Sequence, residues 1–165
     1  MKSGNSFKTG DFVVYPAHGV GKLVNVEEHD ICGTAVELFV IEFNKDHMVL
    51  KLPIQKAYSA GLRHVCDRQE MKSALESLST RVKKKKAMWS RRAQEYETKI
   101  NSGNVGNLAE VIRELYTCQT VGDQSYSERQ IYQIALDRFT RELSIVEDIG
   151  EEEASCRTQD MLKVA

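Results

Sequence analysis

The stretch HMVLKLP, residues 47–53, decides how the first third of the chain folds. Its apolar residues Met48, Leu50 and Leu52 are separated by single positions, one of which is Lys51. Successive side chains of a β-strand point to opposite faces of a sheet, so this period of two predicts a strand with one buried face. The period therefore places the N-terminal part of the chain in a sheet.

Residues 7–62 contain three more stretches of this kind. They are DFVVY, GKLVNVEEH and AVELFVIEF, which are rich in β-branched or aromatic residues. PAHGVG, residues 16–21, and CGT, residues 32–34, supply turn-forming residues between them. Four or five short strands without a helical window predict a small β-barrel of the SH3 or Tudor type.

Residues 68–149 show a helical period instead and contain no proline. In the first long segment, Val82, Trp89, Tyr96 and Ile100 fall on one helical stripe. Two further segments have similar stripes, and we expect a shorter helix before them. Together they predict an all-α C-terminal module.

The breaks between these helices contain capping residues. Gly103 can adopt the left-handed conformation that ends a helix, and Asn104 can cap the helix that follows. Ser127 and Gln130 have the spacing of a capping box and predict the start of the last long helix.

The two patterns predict an α+β chain. A small SH3/Tudor-like β-barrel is expected at residues 1–62, followed by an all-α helical domain at residues 63–165. The last stretch, residues 150–165, is acidic and weakly patterned. We expect it to fray or to end in a short helix.

Charge is distributed unevenly along the chain. The formal net charge is only −1, so any attraction to a polyanion must come from local segregation of charge. Residues 81–99 hold eight Lys or Arg against two Glu. Residues 147–165 hold six Asp or Glu against one Arg and one Lys. The sequence thus combines a basic segment with an acidic tail.

The remaining composition argues against several classes of protein. The four cysteines are widely spaced and form no CxxC pair, so we expect reduced thiols in the cytoplasm and neither a metal site nor a disulfide framework. The N-terminus has no apolar segment of a secretory signal, and no apolar run approaches the ~18 residues of a membrane helix. No GxSxG, P-loop or HExxH motif is present. We therefore expect no enzymatic activity, no catalytic residue and no cofactor.

The only tryptophan, Trp89, lies in the most basic segment, RVKKKKAMWSRR at residues 81–92. One interpretation is that the ring belongs to the core, since it shares a helical stripe with apolar residues. The other is that the apolar stripe ends at Trp89, so that the ring is partly exposed among cations. Lysines and arginines would then dock a helix on phosphates while the ring enters a groove. The candidate phosphate contacts are Lys83, Lys84, Lys85, Lys86, Arg91 and Arg92.

Two features of the predicted barrel bear on function. The segment EEHDI, residues 27–31, is polar and precedes a turn, so it is a candidate sheet edge that could recruit a protein by strand addition. Charge that merely protects an edge gives the same pattern. His18 lies in a Gly-rich turn, and we interpret it as structural.

The sequence resembles the CarD/CdnL family of bacterial transcription regulators over nearly its whole length. FKTGDFVVYPAHGVGKLVNVEE, followed by MVLKLP and KAYSAGLR, is similar to the N-terminal module of that family. MWSRRAQEYETKINSGNVGNLAEVIREL and LDRFTRELSIVED are similar to its helical module.

The resemblance implies a function and a set of contacts. The N-terminal domain would bind the β subunit of RNA polymerase through His29, Asp30, Ile31 and Lys51. The helical domain would contact promoter DNA at the upstream edge of the melted region, with Trp89 as a wedge in the minor groove. The basic companions of that tryptophan would be Arg91 and Arg92.

These expectations describe a non-enzymatic stabiliser of the open promoter complex, which we expect to be a monomer located with RNA polymerase on the nucleoid. The alternative is a protein–protein adaptor that uses the barrel and the helical domain without touching DNA. The acidic tail could compete with DNA for the basic segment.

Overall fold

The computed structural model describes residues 6–43, 47–83, 85–120 and 124–164, and for residues 118–120 it describes the backbone alone. The chain divides into two compact units, Met1–Val65 and Cys66–Ala165. The first is built on a sheet and the second is helical, which confirms the predicted α+β class.

The first unit is a five-stranded antiparallel sheet with the strand order β4-β3-β2-β1-β5. This agrees with the predicted four or five strands. Because β5 pairs with β1, the sheet continues past residue 62. The strands are β1 (Phe12–Tyr15), β2 (Gly19–Ile31), β3 (Thr34–Phe43), β4 (Met48–Pro53) and β5 (Arg63–His64).

One short helix, α1 (Ile54–Ser59), follows β4 and was not predicted. It begins directly after Pro53, whose ring fixes φ at −55° in the N-cap position. Its six residues bury only Ala57, so no apolar stripe was available to reveal it. The expectation that residues 7–62 lack a helix was therefore wrong.

The alternation predicted for β4 is present: Leu52 is buried, Met48 and Leu50 are partly buried, and Val49 and Lys51 are exposed. Phe39, Ile41 and Phe43 project from one face of β3 into a core that also receives Leu52 from β4. At the turn between β2 and β3, Cys32 has φ 53° and Gly33 has φ 81°. Two successive positive φ values suit a tight hairpin that follows the twist of its strands.

In the described residues of the second unit, five helices surround a separate core. They are α2 (Arg68–Ser77), α3 (Trp89–Asn101), α4 (Val105–Thr120), α5 (Tyr126–Glu147) and α6 (Glu151–Val164). The predicted short helix corresponds to α2. The acidic tail forms a full helix, longer than expected, because Ala154, Thr158 and Leu162 are buried on one side of it.

The first long helix differs from the prediction at its start. Because α3 begins at Trp89, Val82 and the described lysines of the basic run precede the helix and are not part of it.

The capping predictions were partly right. Gly103 has φ 71°, and Asn104 Oδ1 accepts hydrogen bonds from the backbone N–H groups of Gly106 and Asn107, as expected for these two positions. The capping box of α5 lies two residues earlier than predicted. It joins Ser125 and Glu128, which have the same spacing as the predicted pair.

Candidate functional site

The second half of β2 is an open edge of the sheet. β1 pairs only with Gly19–Lys22 of this strand, and the preceding loop reaches Leu23 through two backbone hydrogen bonds of 2.7 and 2.9 Å. Beyond that point, β3 is the only described strand that pairs with residues 24–31. The predicted edge at residues 27–31 therefore has one side on which another strand could add.

Three of the four predicted polymerase contacts share one face of the sheet. Lys51 is aligned with Asn25 across β3, and cross-strand partners point to the same side. Glu27, His29 and Ile31 follow Asn25 at steps of two residues and so project to that side as well. Asp30 projects to the opposite face.

Glu27 connects two of these residues. Its Oε2 atom is 2.8 Å from His29 Nε2 and 3.1 Å from Lys51 Nζ. Two hydrogen bonds hold the pKa of Glu27 below its usual range. The one with His29 has the larger effect, and the one with Lys51 has the next largest. Ile31, which is 51% exposed, lies on the same face beside this polar group. The sequence predicted only that Glu27 belongs to the polar edge at residues 27–31, and its contacts with His29 and Lys51 were not foreseen.

Trp89, the predicted wedge, is the first residue of α3 and is half-buried. Its ring packs against the helical core, with its centroid 6.4 Å from that of the fully buried Tyr96. Burial raises the pKa of the Tyr96 hydroxyl to about 12. The indole is thus partly packed against the core and partly exposed, and its role as a wedge stays a prediction.

Met88, which sequence reasoning passed over, precedes the tryptophan and is 77% exposed. It occupies the N-cap position of α3 and provides no side-chain cap, and the first turn contains no acidic residue. The N–H groups of the first turn therefore receive no cap from the side chain of Met88, and the positive end of the helix dipole lies at this helix start. An exposed methionine where Ser, Thr, Asp or Asn would stabilise the helix is unfavourable for the isolated fold.

The two arginines after Trp89 have different environments. Arg91 is exposed. Arg92 is only 6% exposed, and its Nη1 atom is 3.4 Å from Glu128 Oε1 of α5. Arg92 thus lies inside the helical unit, paired with a carboxylate of another helix.

The lysine run is also divided. Lys83 and Lys86 are exposed, whereas Lys84 lies outside the described residues. Lys85 Nζ contacts Glu95 Oε1 at 2.6 Å and Glu114 Oε1 at 3.3 Å. The hydrogen bond with Glu95 is the main cause that raises the pKa of Lys85 and lowers that of Glu95. Lys85 is therefore engaged within its own unit.

The structure thus brings together a smaller site than the sequence predicted. At the start of α3, the exposed Met88 and the half-buried Trp89 lie next to the exposed cations Lys86 and Arg91. Among the described residues, no three His, Cys, Asp or Glu side chains converge to hold a metal ion. No described helix is both long enough and apolar enough to cross a membrane.

An open sheet edge and a basic, partly apolar helix start are surfaces suited to macromolecular partners, so fold and site together define a two-module binding protein. The family model of the CarD-like/TRCF RID domain matches residues 7–66, and that of the CarD C-terminal domain matches residues 73–159. The chain therefore belongs to the CarD family, and membership supports a role in transcription regulation.

A curated relative agrees with this assignment. The Bacillus subtilis (strain 168) protein named "Putative transcription factor YdeB" is 26% identical over 147 residues, which cover 89% of this chain and 96% of the relative. The family is one of transcription factors, and the match to the RID domain points to an interaction with RNA polymerase.

Proposed function

We propose that this protein binds the β subunit of RNA polymerase with its sheet unit and stabilises the open promoter complex with its helical unit. The helical unit would contact DNA at the upstream edge of the bubble. The observation that carries this proposal is the start of α3, where a half-buried indole and a 77% exposed methionine lie among exposed cations.

The exposed cations suit a phosphate backbone. Lys83, Lys86 and Arg91 are the described members of the predicted set that are exposed. Each phosphate that a cation neutralises releases condensed counterions. The logarithm of the DNA-binding constant should therefore fall with the logarithm of the salt concentration, with a slope of ~0.9 per contact, and this slope is called the salt slope below. Such contacts orient the helix without reading base sequence.

The apolar pair suits a distorted base step. Side chains such as methionine can insert between bases in the minor groove, at a cost that is lowest where the duplex is already unstacked. Packing against the helical core holds the half-buried Trp89 ring in place, while the adjacent Met88 is exposed. The junction between duplex and bubble is therefore the DNA that this site fits best.

The open edge of β2 suits a polymerase strand. Backbone groups of residues 24–31 would supply the strand pairing, while Ile31, His29 and Lys51 would supply side-chain selectivity on one face. Two modest contacts on the same particle would bind far better than either alone. Polymerase would then select the promoter, and the helical unit would need no sequence preference.

The DNA contact is tested with Trp89→Ala. Contact between an aromatic ring and a base contributes ~1–3 kcal/mol, so we expect the open complex to be on the order of tenfold shorter-lived or more. Ile134→Ala is the matched control, since Ile134 is a 48% exposed apolar residue of the same unit. An unchanged lifetime with Trp89→Ala would refute the wedge.

The polymerase contact is tested separately with Ile31→Asp in a pull-down with purified RNA polymerase. This variant should lose binding, because a charge replaces the exposed apolar residue at the open edge, whereas Trp89→Ala should retain it. Retention by Ile31→Asp would show that another surface binds the polymerase.

The adaptor alternative gains some support from the internal pairing of Lys85 and Arg92, which reduces the cationic surface. It predicts that binding to forked DNA is weak and independent of salt. A clear salt slope for the wild-type protein would exclude it.

A further inference from the structure

Arg92 lies beneath the tryptophan and touches two aromatic rings. Its Cζ atom is 5.5 Å from the centroid of the Trp89 ring and 5.7 Å from that of Tyr96. Its Nη2 atom also lies 3.4 Å from the Tyr96 hydroxyl oxygen. A planar guanidinium can stack on an aromatic face, so Arg92 supports the packed side of the indole.

Glu128 fixes Arg92 from the other side. Its Oε1 atom pairs with Arg92, while its Oε2 atom accepts a 2.9 Å hydrogen bond from the backbone N–H of Ser125. One buried carboxylate therefore caps α5 and orients the guanidinium. Because the capping box fixes Glu128 on the first turn of α5, the position of Arg92 depends on that helix.

We propose that Arg92 is a positioning residue for the Trp89 indole, held in place by Glu128, and that it makes no phosphate contact. This inference rests on the proposed role of Trp89 in DNA binding. Burial of a charged pair is weak evidence for stability, since apolar residues of similar volume often serve as well. What the pair adds here is a flat, fixed support for a ring that is only half-buried.

Arg91→Gln and Arg92→Gln form a matched pair that separates support from phosphate contact. Both remove one charge from adjacent positions of α3. We measure the salt dependence of binding to forked DNA, the lifetime of the open complex, and the emission and acrylamide quenching of Trp89 in the free protein. The fluorescence arises from this site alone, because the chain has one tryptophan.

The two variants should behave oppositely. Arg91→Gln should lower the salt slope by ~0.9 and leave the tryptophan signal unchanged. Arg92→Gln should leave the slope unchanged, shift the emission to the red, increase quenching, and shorten the open-complex lifetime about two- to fivefold, the equivalent of ~0.5–1 kcal/mol. If Arg92→Gln instead lowers the slope as Arg91→Gln does and leaves the fluorescence unchanged, Arg92 is a phosphate contact and the proposal is wrong.

A double variant addresses the fold. Arg92→Gln leaves the buried Glu128 carboxylate without this partner, so Arg92→Gln with Glu128→Gln removes both charges. The glutamine amide oxygen at 128 can still accept the Ser125 N–H. The double variant should fold and show the same change in tryptophan quenching. An unchanged signal would overturn the proposal.

Failure of the proposed function would look different. Wild-type protein would then bind forked DNA without a salt slope, and Arg91→Gln would change nothing. The fluorescence of the Arg92 variants would still report whether the guanidinium supports the ring.

Discussion

Lys85 and Lys86 are neighbours in the basic run, but the structure gives them different environments. Lys85 is paired with Glu95 and Glu114, while Lys86 is exposed. Replacing each by glutamine removes the same charge from adjacent positions. We expect Lys86→Gln to weaken DNA binding and Lys85→Gln chiefly to destabilise the helical unit.

The size of the stability effect follows from burial. The side chains of Lys85 and Glu95 are 38% and 42% exposed, so solvent screening limits their pair to ~0.2–1 kcal/mol. The side chain of Glu114 is only 9% exposed and also has a hydrogen bond with Tyr96, so losing Lys85 costs at most the ~1–3 kcal/mol of a buried polar group left without a partner. Lys85→Gln should therefore lower the free energy of unfolding by at most about 1–3 kcal/mol. At ~4–8 °C per kcal/mol for a domain of this size, that is a clear fall in Tm.

Thermal unfolding followed by Trp89 fluorescence measures this effect in the intact chain, because the only tryptophan lies in the helical unit. Forked-DNA titrations at several salt concentrations give the second quantity. Lys86→Gln should lower the salt slope by ~0.9 with an unchanged Tm. If Lys85→Gln lowers the salt slope as much as Lys86→Gln does and has the Tm of the wild-type protein, then Lys85 contacts phosphate and does not stabilise the helical unit.

Three further predictions concern packing, pH and the helix start. An Ala Cβ at Gly21 would lie 2.7 Å from Ile41 Cγ2, so Gly21→Ala should lower the denaturant stability of the sheet unit by ~1–3 kcal/mol; an unchanged midpoint would contradict the overpacking. A hydrogen bond from Lys85 lowers the pKa of Glu95 below its usual 4.5, and one from Lys99 lowers that of Glu110. The stability from these carboxylates is complete above pH 4.5 and is lost as pH falls through their folded-state values, which thermal melts across this range would reveal. Met88→Ser should raise the Tm of the helical unit, since an N-cap hydroxyl contributes ~1 kcal/mol, and should weaken binding to forked DNA. If the variant raises both the Tm and the DNA affinity, Met88 is not part of the DNA-binding site.

The elements with a clear period were predictable from the sequence. In β4, buried or partly buried residues alternate with exposed ones, and long apolar stripes revealed α4 and α5. These patterns were readable because they depend only on neighbours along the chain. α1 was missed because a helix with one buried residue has no stripe. The start of α3 was misplaced because Val82 fits the stripe by spacing alone, and spacing does not show where a helix begins.

The candidate site was less predictable than the fold. Trp89 and Arg91 could be selected by residue type and position. The sequence could not distinguish Arg92 from Arg91, or Lys85 from Lys86, because each pair has the same charge and similar spacing. Their partners Glu128 and Glu114 are distant in sequence, and no local pattern connects them.

The sequence alone determined that a sheet module precedes a helical module and that cations surround a single tryptophan. Hydrophobic period and local composition suffice for both, since each acts over a few neighbouring residues. Tertiary structure alone decided which cations remain exposed and that the indole is only half-buried. That choice depends on which carboxylates other helices bring within a few ångströms, because a nearby buried carboxylate turns a potential phosphate contact into an internal support.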